Sequence, residues 1–190
     1  MTSTLAPPLS LSAFLQQPET KPPSEYIHGE IHQKPMPKGK YSLLQTRLVS
    51  AINQQGLPDR LVHGLTELRC TVSDRSLVPD ISVFNWNRIP LTTDGDIADQ
   101  FSIAPDWTIE ILSPEQSQTR VINNILFLLN HGTQLGWLID PNERTILSFQ
   151  AQQQPILQNQ DTDPLLVLPV LKDWTLTLAE LFSWMRLGST

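Results

Sequence analysis

An α/β domain, its central sheet covered by helices, is the fold class this sequence predicts, and three observations carry it. Five short runs rich in β-branched residues are bounded by turn formers, which marks strands. Two stretches space their apolar residues at helical intervals, one ahead of those runs and one among them. The chain has 190 residues, 39% of them hydrophobic, enough for one core at the usual domain size of about 100–200 residues.

Taken in order, the first 24 residues read as a Pro-rich arm and residues 25–190 as one domain. Seven of the sixteen prolines fall in residues 1–37, and proline fixes φ and removes a backbone donor, which excludes continuous helix or central strand there. Within the arm, Ser10 or Ser12 is placed to cap a turn or two carrying Leu11, Phe14 and Leu15, stopped by Pro18. Glu25 to Gln33 carries Tyr26, Ile27 and Ile31 around Gly29, the pattern of two short strands and a tight turn. From Tyr41 to Gln54, Leu44, Leu48, Ala51 and Ile52 form a helical stripe that Gly56 and Pro58 end.

The expected strands are Glu67 to Val72, Asp80 to Phe84, Trp107 to Leu112, Leu135 to Asp140 and Thr145 to Phe149. Between the third and fourth, Val121 to Leu129 carries a broad apolar stripe, a second helix. The six glutamines between Gln150 and Gln160 suit a polar hairpin tip or loop, and "WTLTLAELFSWM" suits a strand followed by a short helix.

Charge and cysteine usage narrow the function classes. Thirteen Lys plus Arg against nineteen Asp plus Glu give a net charge of −6, so no global positive field draws the chain onto a polyanion. Cys70 is the single cysteine; it excludes a disulfide framework, and in an apolar strand it reads as a buried, inert thiol. No apolar run approaches the roughly 20 residues that cross a bilayer, and the N-terminus lacks the basic and apolar regions of a signal peptide. A cytoplasmic protein is the expectation. The phosphate-binding, dinucleotide, zinc-protease and serine-hydrolase motifs are absent. The four histidines are scattered, although His28 and His32 share one stretch.

What remains is acidic. "VPDISVF" puts Asp80 at the start of a strand, and "PDWTIEILSP" puts Glu110 inside another. Alternation there groups Trp107, Ile109 and Ile111 on one face and Thr108, Glu110 and Leu112 on the other. A mid-strand carboxylate among apolar neighbours needs a cation, a metal, a donor network or water. Two carboxylates from neighbouring strands form an oxygen cage of the kind that holds Mg²⁺ together with a substrate phosphate. The alternative is that Asp80 caps a turn after Pro79 and that Glu110 pairs with an arginine such as Arg120. Lys34, Lys38, Lys40 and Arg47, with no acid among residues 31–47, make either a strip that follows a phosphate backbone or an ordinary solvated face.

"EYIHGEI", "VPDISV", "PDWTIEILSP" and "HGTQLGWLIDP", in this order, resemble the Uma-type family of restriction endonucleases, a branch of the PD-(D/E)xK nuclease superfamily. The resemblance runs from about Leu9 to the C-terminus. It implies a restriction endonuclease-like sandwich, with a central mixed β-sheet flanked by helices, and divalent-metal-dependent endonuclease hydrolysis of DNA. It makes Asp80 and Glu110 the ligands of Mg²⁺ or Mn²⁺, adds Glu30 from the "GE" element as a further acid, and leaves Arg120 as the electrostatic contributor. Nucleases that cut both strands often work as two-fold dimers, so a homodimer is a further expectation.

The departures are specific. The superfamily lysine two positions after the second acid is Leu112 here. A lysine that many members of this branch supply from the following helix falls near Asn123 and Asn124. No lysine stands between Lys40 and Lys172. A catalytically impaired module that binds nucleic acid or protein without cleaving is therefore the competing expectation. A metal-independent interaction domain, using Trp86, Trp174 and Trp184, is a third.

Overall fold

The computed structural model describes residues 9–188; the first eight residues of the arm lie outside them. The expected capped turn is present as α1 (Leu11–Leu15), with Ser10 as its cap: the Ser10 hydroxyl accepts the Ala13 amide at 3.1 Å. Phe14 packs on Tyr26, and the Tyr26 hydroxyl donates to the Leu9 carbonyl at 2.7 Å.

The fold is mixed α/β, with the strands divided between two sheets. β1 (Ser24–Ile27) and β2 (Glu30–Gln33) form the expected hairpin, whose loop residues His28 and Gly29 both have positive φ, the requirement of a two-residue turn that follows the strand twist. α2 (Gly39–Gly56) follows, slightly longer than the stripe predicts. Of the strand expected over Glu67 to Val72 only β4 (Cys70–Val72) forms, and β3 (Val62–Thr66), ahead of it, is a strand the sequence reading did not mark. Glu67 sits at φ 50° in the corner between them, where a strand cannot continue. β5 (Arg75–Leu77) closes the smaller sheet, of order β2-β1-β5-β4.

β6 (Ile81–Asn85), β7 (Trp107–Ile111), α3 (Gln118–Leu129), β8 (Leu135–Asp140) and β9 (Thr145–Gln150) lie within a residue or three of their predicted bounds. The glutamine-rich segment returns as an edge strand, β10 (Ile156–Gln158). The C-terminal segment holds only a helix, α4 (Leu178–Ser183); the strand expected before it is reduced to a single bridge between Pro164 and Thr177. The larger sheet has the order β10-β9-β8-β7-β6-β3. It is mixed: β7 and β8 pair parallel, across α3, and the other neighbours antiparallel.

Alternation decides which helix covers which face. Trp107, Ile109, Ile111, Trp137 and Ile139 point to one side and pack on Leu44, Leu48 and Ile52 of α2 and on Leu181 and Phe182 of α4. Leu138 and Phe149 point to the other and meet Val121, Ile125 and Leu129 of α3. Trp107 and Trp137, both fully buried, meet edge to face at 4.6 Å between ring centroids. Gly136 lets α3 approach β8: a Cβ there would collide with the Ile125 side chain, which is already wedged against the sheet. Gly136→Ala is expected to destabilise the fold by about 1–3 kcal/mol through overpacking, read as a lower urea midpoint at unchanged slope. No helix among the described residues is long and apolar enough to cross a membrane.

Candidate active site

Three residues, Val78, Pro79 and Asp80, carry the chain from β5 of the smaller sheet into β6 of the larger. This crossing is clamped from three directions. Glu25 of β1 accepts the Val78 amide on Oε1 at 2.9 Å, Lys34 donates to the Val78 carbonyl at 2.8 Å, and Gln45 of α2 donates to the Asp80 carbonyl at 2.8 Å. Because β6 and β7 run antiparallel with Ile81 opposite Ile109, the next step along the ladder sets Asp80 opposite Glu110. Asp80 Oδ2 accepts the Ile111 amide at 2.7 Å, which ties the first acid to the second acid's own strand.

The structure therefore brings together the two carboxylates singled out in the sequence. Between them stands Lys34, just past β2. Its Nζ lies 2.7 Å from Asp80 Oδ1 and 3.1 Å from Glu110 Oε2. With the Val78 carbonyl, these three acceptors use all three ammonium hydrogens. The side chains of Lys34, Asp80 and Glu110 are 10%, 16% and 6% exposed, so the triad is screened from solvent and its electrostatics are strong.

Burial pushes the Glu110 carboxyl up to about 8, only partly offset by Lys34, with Asp80 and Glu25 adding to the rise. Glu25 is raised for the same first reason, the loss of water around it. Burial works against the Lys34 ammonium, but Asp80, Glu110 and Glu25 outweigh it and hold the group above the ordinary lysine value. Three acids thus face one cation, and burial favours the protonated form of Glu110 and of Glu25.

Lys34 is the member of this cluster that sequence reasoning passed over. It lies 46 positions before Asp80 and 76 before Glu110, and it had been counted in a basic strip. The lysine expected near Asn123 and Asn124 is absent from α3, but an ammonium reaches both acids from another sheet. Glu25 was also unmarked. Its neighbour Asn124 donates to Glu25 Oε2 at 3.2 Å. The missed signal was a charged residue directly before the apolar pair Tyr26 and Ile27, on a strand buried at every position.

The other two predicted residues fall elsewhere. Glu30, on the edge strand β2, has a side chain 76% exposed and lies 3.3 Å from His32; it is not brought to the triad. Arg120 is exposed in the first turn of α3 and makes no ion pair among the described residues, so it does not lock Glu110. It lines a small hollow of about 70 Å³ together with Glu25, Lys34, Glu110 and Asn124. A larger cavity of about 610 Å³ opens on the opposite side of Lys34 and reaches Asp80. Cys70 is buried as expected, and burial pushes its thiol up to about 11.

Among the described residues no three His, Cys, Asp or Glu side chains gather into a metal-binding cluster. The lysine nevertheless marks a cation position: two carboxylate oxygens and a backbone carbonyl already surround one positive charge. That hard-oxygen set fits Mg²⁺ or Mn²⁺, which are held by one or two carboxylates and keep places for water and phosphate.

Comparison with known proteins bears on the same residues. No curated protein matches the chain. A crystal structure described as "a putative nuclease belonging to DUF820 from Anabaena variabilis ATCC 29413" is 51% identical, with a TM-score of 0.93, covering 94% of this chain and 100% of that one. The model of the Uma2 family, described as "Putative restriction endonuclease", matches residues 11–179. That span holds both sheets, the crossing and all of the triad, and the chain belongs to the Uma2 family.

Proposed function

We propose that this protein is a divalent-metal-dependent endonuclease that hydrolyses phosphodiester bonds of DNA at Asp80, Glu110 and Lys34. The observation that carries the reading is the buried ammonium shared by two carboxylates from adjacent strands. The family description and the nuclease from Anabaena variabilis support it. Restriction endonuclease-like nucleases generally use divalent metals.

Asp80 and Glu110 are the residues that would hold Mg²⁺ or Mn²⁺. A bound ion supplies a water of lowered pKa and polarises the scissile phosphate. The chain's own residues do the rest. Lys34 holds the two acids at a common point and places a positive charge where charge develops on the phosphoryl oxygens. Glu25 is a positioning residue, since it fixes the Val78 amide and hence the Asp80 backbone. Arg120, charged at every relevant pH, is free at the lip of the smaller hollow to meet a phosphate oxygen. The competing reading of an impaired module draws on the lysine missing at Leu112 and near Asn123 and Asn124; the ammonium of Lys34 beside both acids supports the active reading.

Plasmid DNA tests the reading. Supercoiled DNA incubated with the purified chain and Mg²⁺ or Mn²⁺ is expected to be nicked, with loss of nicking on chelation and in Asp80→Ala. Nicking that persists in Asp80→Ala assigns the cut to another site or a contaminant, and absence of nicking with either ion rejects the reading.

A further inference from the structure

The larger cavity bears on what form of DNA enters, and the argument rests on the nuclease reading above. At about 610 Å³ it is a hollow of small-ligand size. A duplex, whose major groove alone is about 12 Å across, does not fit inside it. Lys34 and Asp80 stand at its inner end, and its walls include Pro22, Pro35, Met36 and Leu68. Met36 is 63% exposed, a large apolar side chain offered to solvent at the rim.

Charge points the same way. Three cations line the cavity: Lys21, Lys34 and Arg69. Lys34 is committed to Asp80 and Glu110, and Arg69 is held by both oxygens of Glu19 at 2.7 and 2.6 Å. A duplex-binding surface relies on many phosphate contacts, and this wall offers few free cations on a chain of net charge −6. An apolar slot with one cation on its wall, Lys21, uncommitted among the described residues, is instead the design that receives a single unstacked base and its phosphate. The Ser113 hydroxyl, on the same wall and without a hydrogen-bond partner among the described residues, is available to a base edge after rotation.

We infer that the cavity takes a base of an unpaired DNA strand, its phosphate at Lys21, and that the enzyme acts on single-stranded or flapped DNA in preference to intact duplex. The test uses the full chain and two fluorescein-labelled probes, a 12-nucleotide oligothymidylate and a 12-base-pair duplex, at one salt concentration with EDTA. The single strand is expected to bind about tenfold more tightly, and Met36→Glu to remove about that factor. Leu91→Glu, which adds the same charge at a residue 62% exposed elsewhere, is expected to change nothing. With Mg²⁺ or Mn²⁺, cleavage is expected in the unpaired arm of a flapped duplex. Equal affinity for the two probes, or strand affinity unaffected by Met36→Glu, overturns the inference. Asp80-dependent cutting of duplex and single strand at equal rates overturns it too and leaves the nuclease reading standing. Met36-dependent strand binding without any cutting upholds the base pocket but overturns the cleavage preference together with the nuclease reading.

Discussion

Lys34→Met is expected to cost about 3–5 kcal/mol of stability near neutral pH, the usual result of removing one partner from a buried charge pair. Methionine keeps the length of the side chain but leaves Asp80 and Glu110, 16% and 6% exposed, facing each other without a cation. It also orphans the Val78 carbonyl, a further buried acceptor. The strain has one release: Glu110, already pushed up to about 8, stays protonated to higher pH still. A second substitution separates the two roles of the lysine. Lys34→Met/Glu110→Gln returns the triad to the net charge of −1 it has with both acids ionised, without restoring a cation, so stability is expected to recover in part while nicking does not. The nicking rate of Lys34→Met is expected to fall by about 10²–10³, the loss typical of removing one group that stabilises developing charge. Urea melts and plasmid nicking on the three proteins check both halves. A stable, fully active Lys34→Met would remove Lys34 from the site altogether.

Most of the larger sheet was legible because its strands are buried on both faces. Such strands read as short, continuous apolar runs with turn formers at their ends, as in "GWLID" and "WTIEI". The break at Glu67 was not legible, because β-branched residues stand on both sides of it and the left-handed corner is made by an ordinary residue. The site divides along the same line. Asp80 and Glu110 could be paired from sequence because both belong to the sheet whose strands were readable. Lys34 could not, since its position depends on how a hairpin of the second sheet docks against the first, a long-range contact that leaves no periodic trace. Choosing Glu30 over Glu25 reflects the same gap. The two lie on adjacent strands of one hairpin, and only the sheet order, with β1 inside and β2 at the edge, says which is buried.

The pH dependence of stability tests Glu110 without any assay of cleavage. Its carboxyl is held near 8 in the folded protein, against 4.5 for the same group in solvent, so between these values the folded state keeps a proton that the unfolded state has released. Stability therefore falls as pH rises through this window, the contribution being complete below about 4.5 and gone above about 8. Lys34 stays charged throughout and adds no slope there, because its carboxylate neighbours hold it above the ordinary lysine value. Glu25 is raised as well, by burial, and contributes the same sign to the wild type and to any Glu110 variant. Subtracting the two leaves Glu110 and its interaction with Glu25. Glu110→Gln cannot titrate, so its thermal midpoint is expected to gain on the wild type steadily from pH 5 to pH 8, by a few degrees for each kcal/mol recovered. A gap that stays constant over this range would mean that Glu110 is ionised in the fold from low pH, already neutralised by Lys34. The alkaline end of the window is also where the wild-type carboxylate is free to take a metal, so nicking is expected to rise over the same interval in which metal-free stability declines.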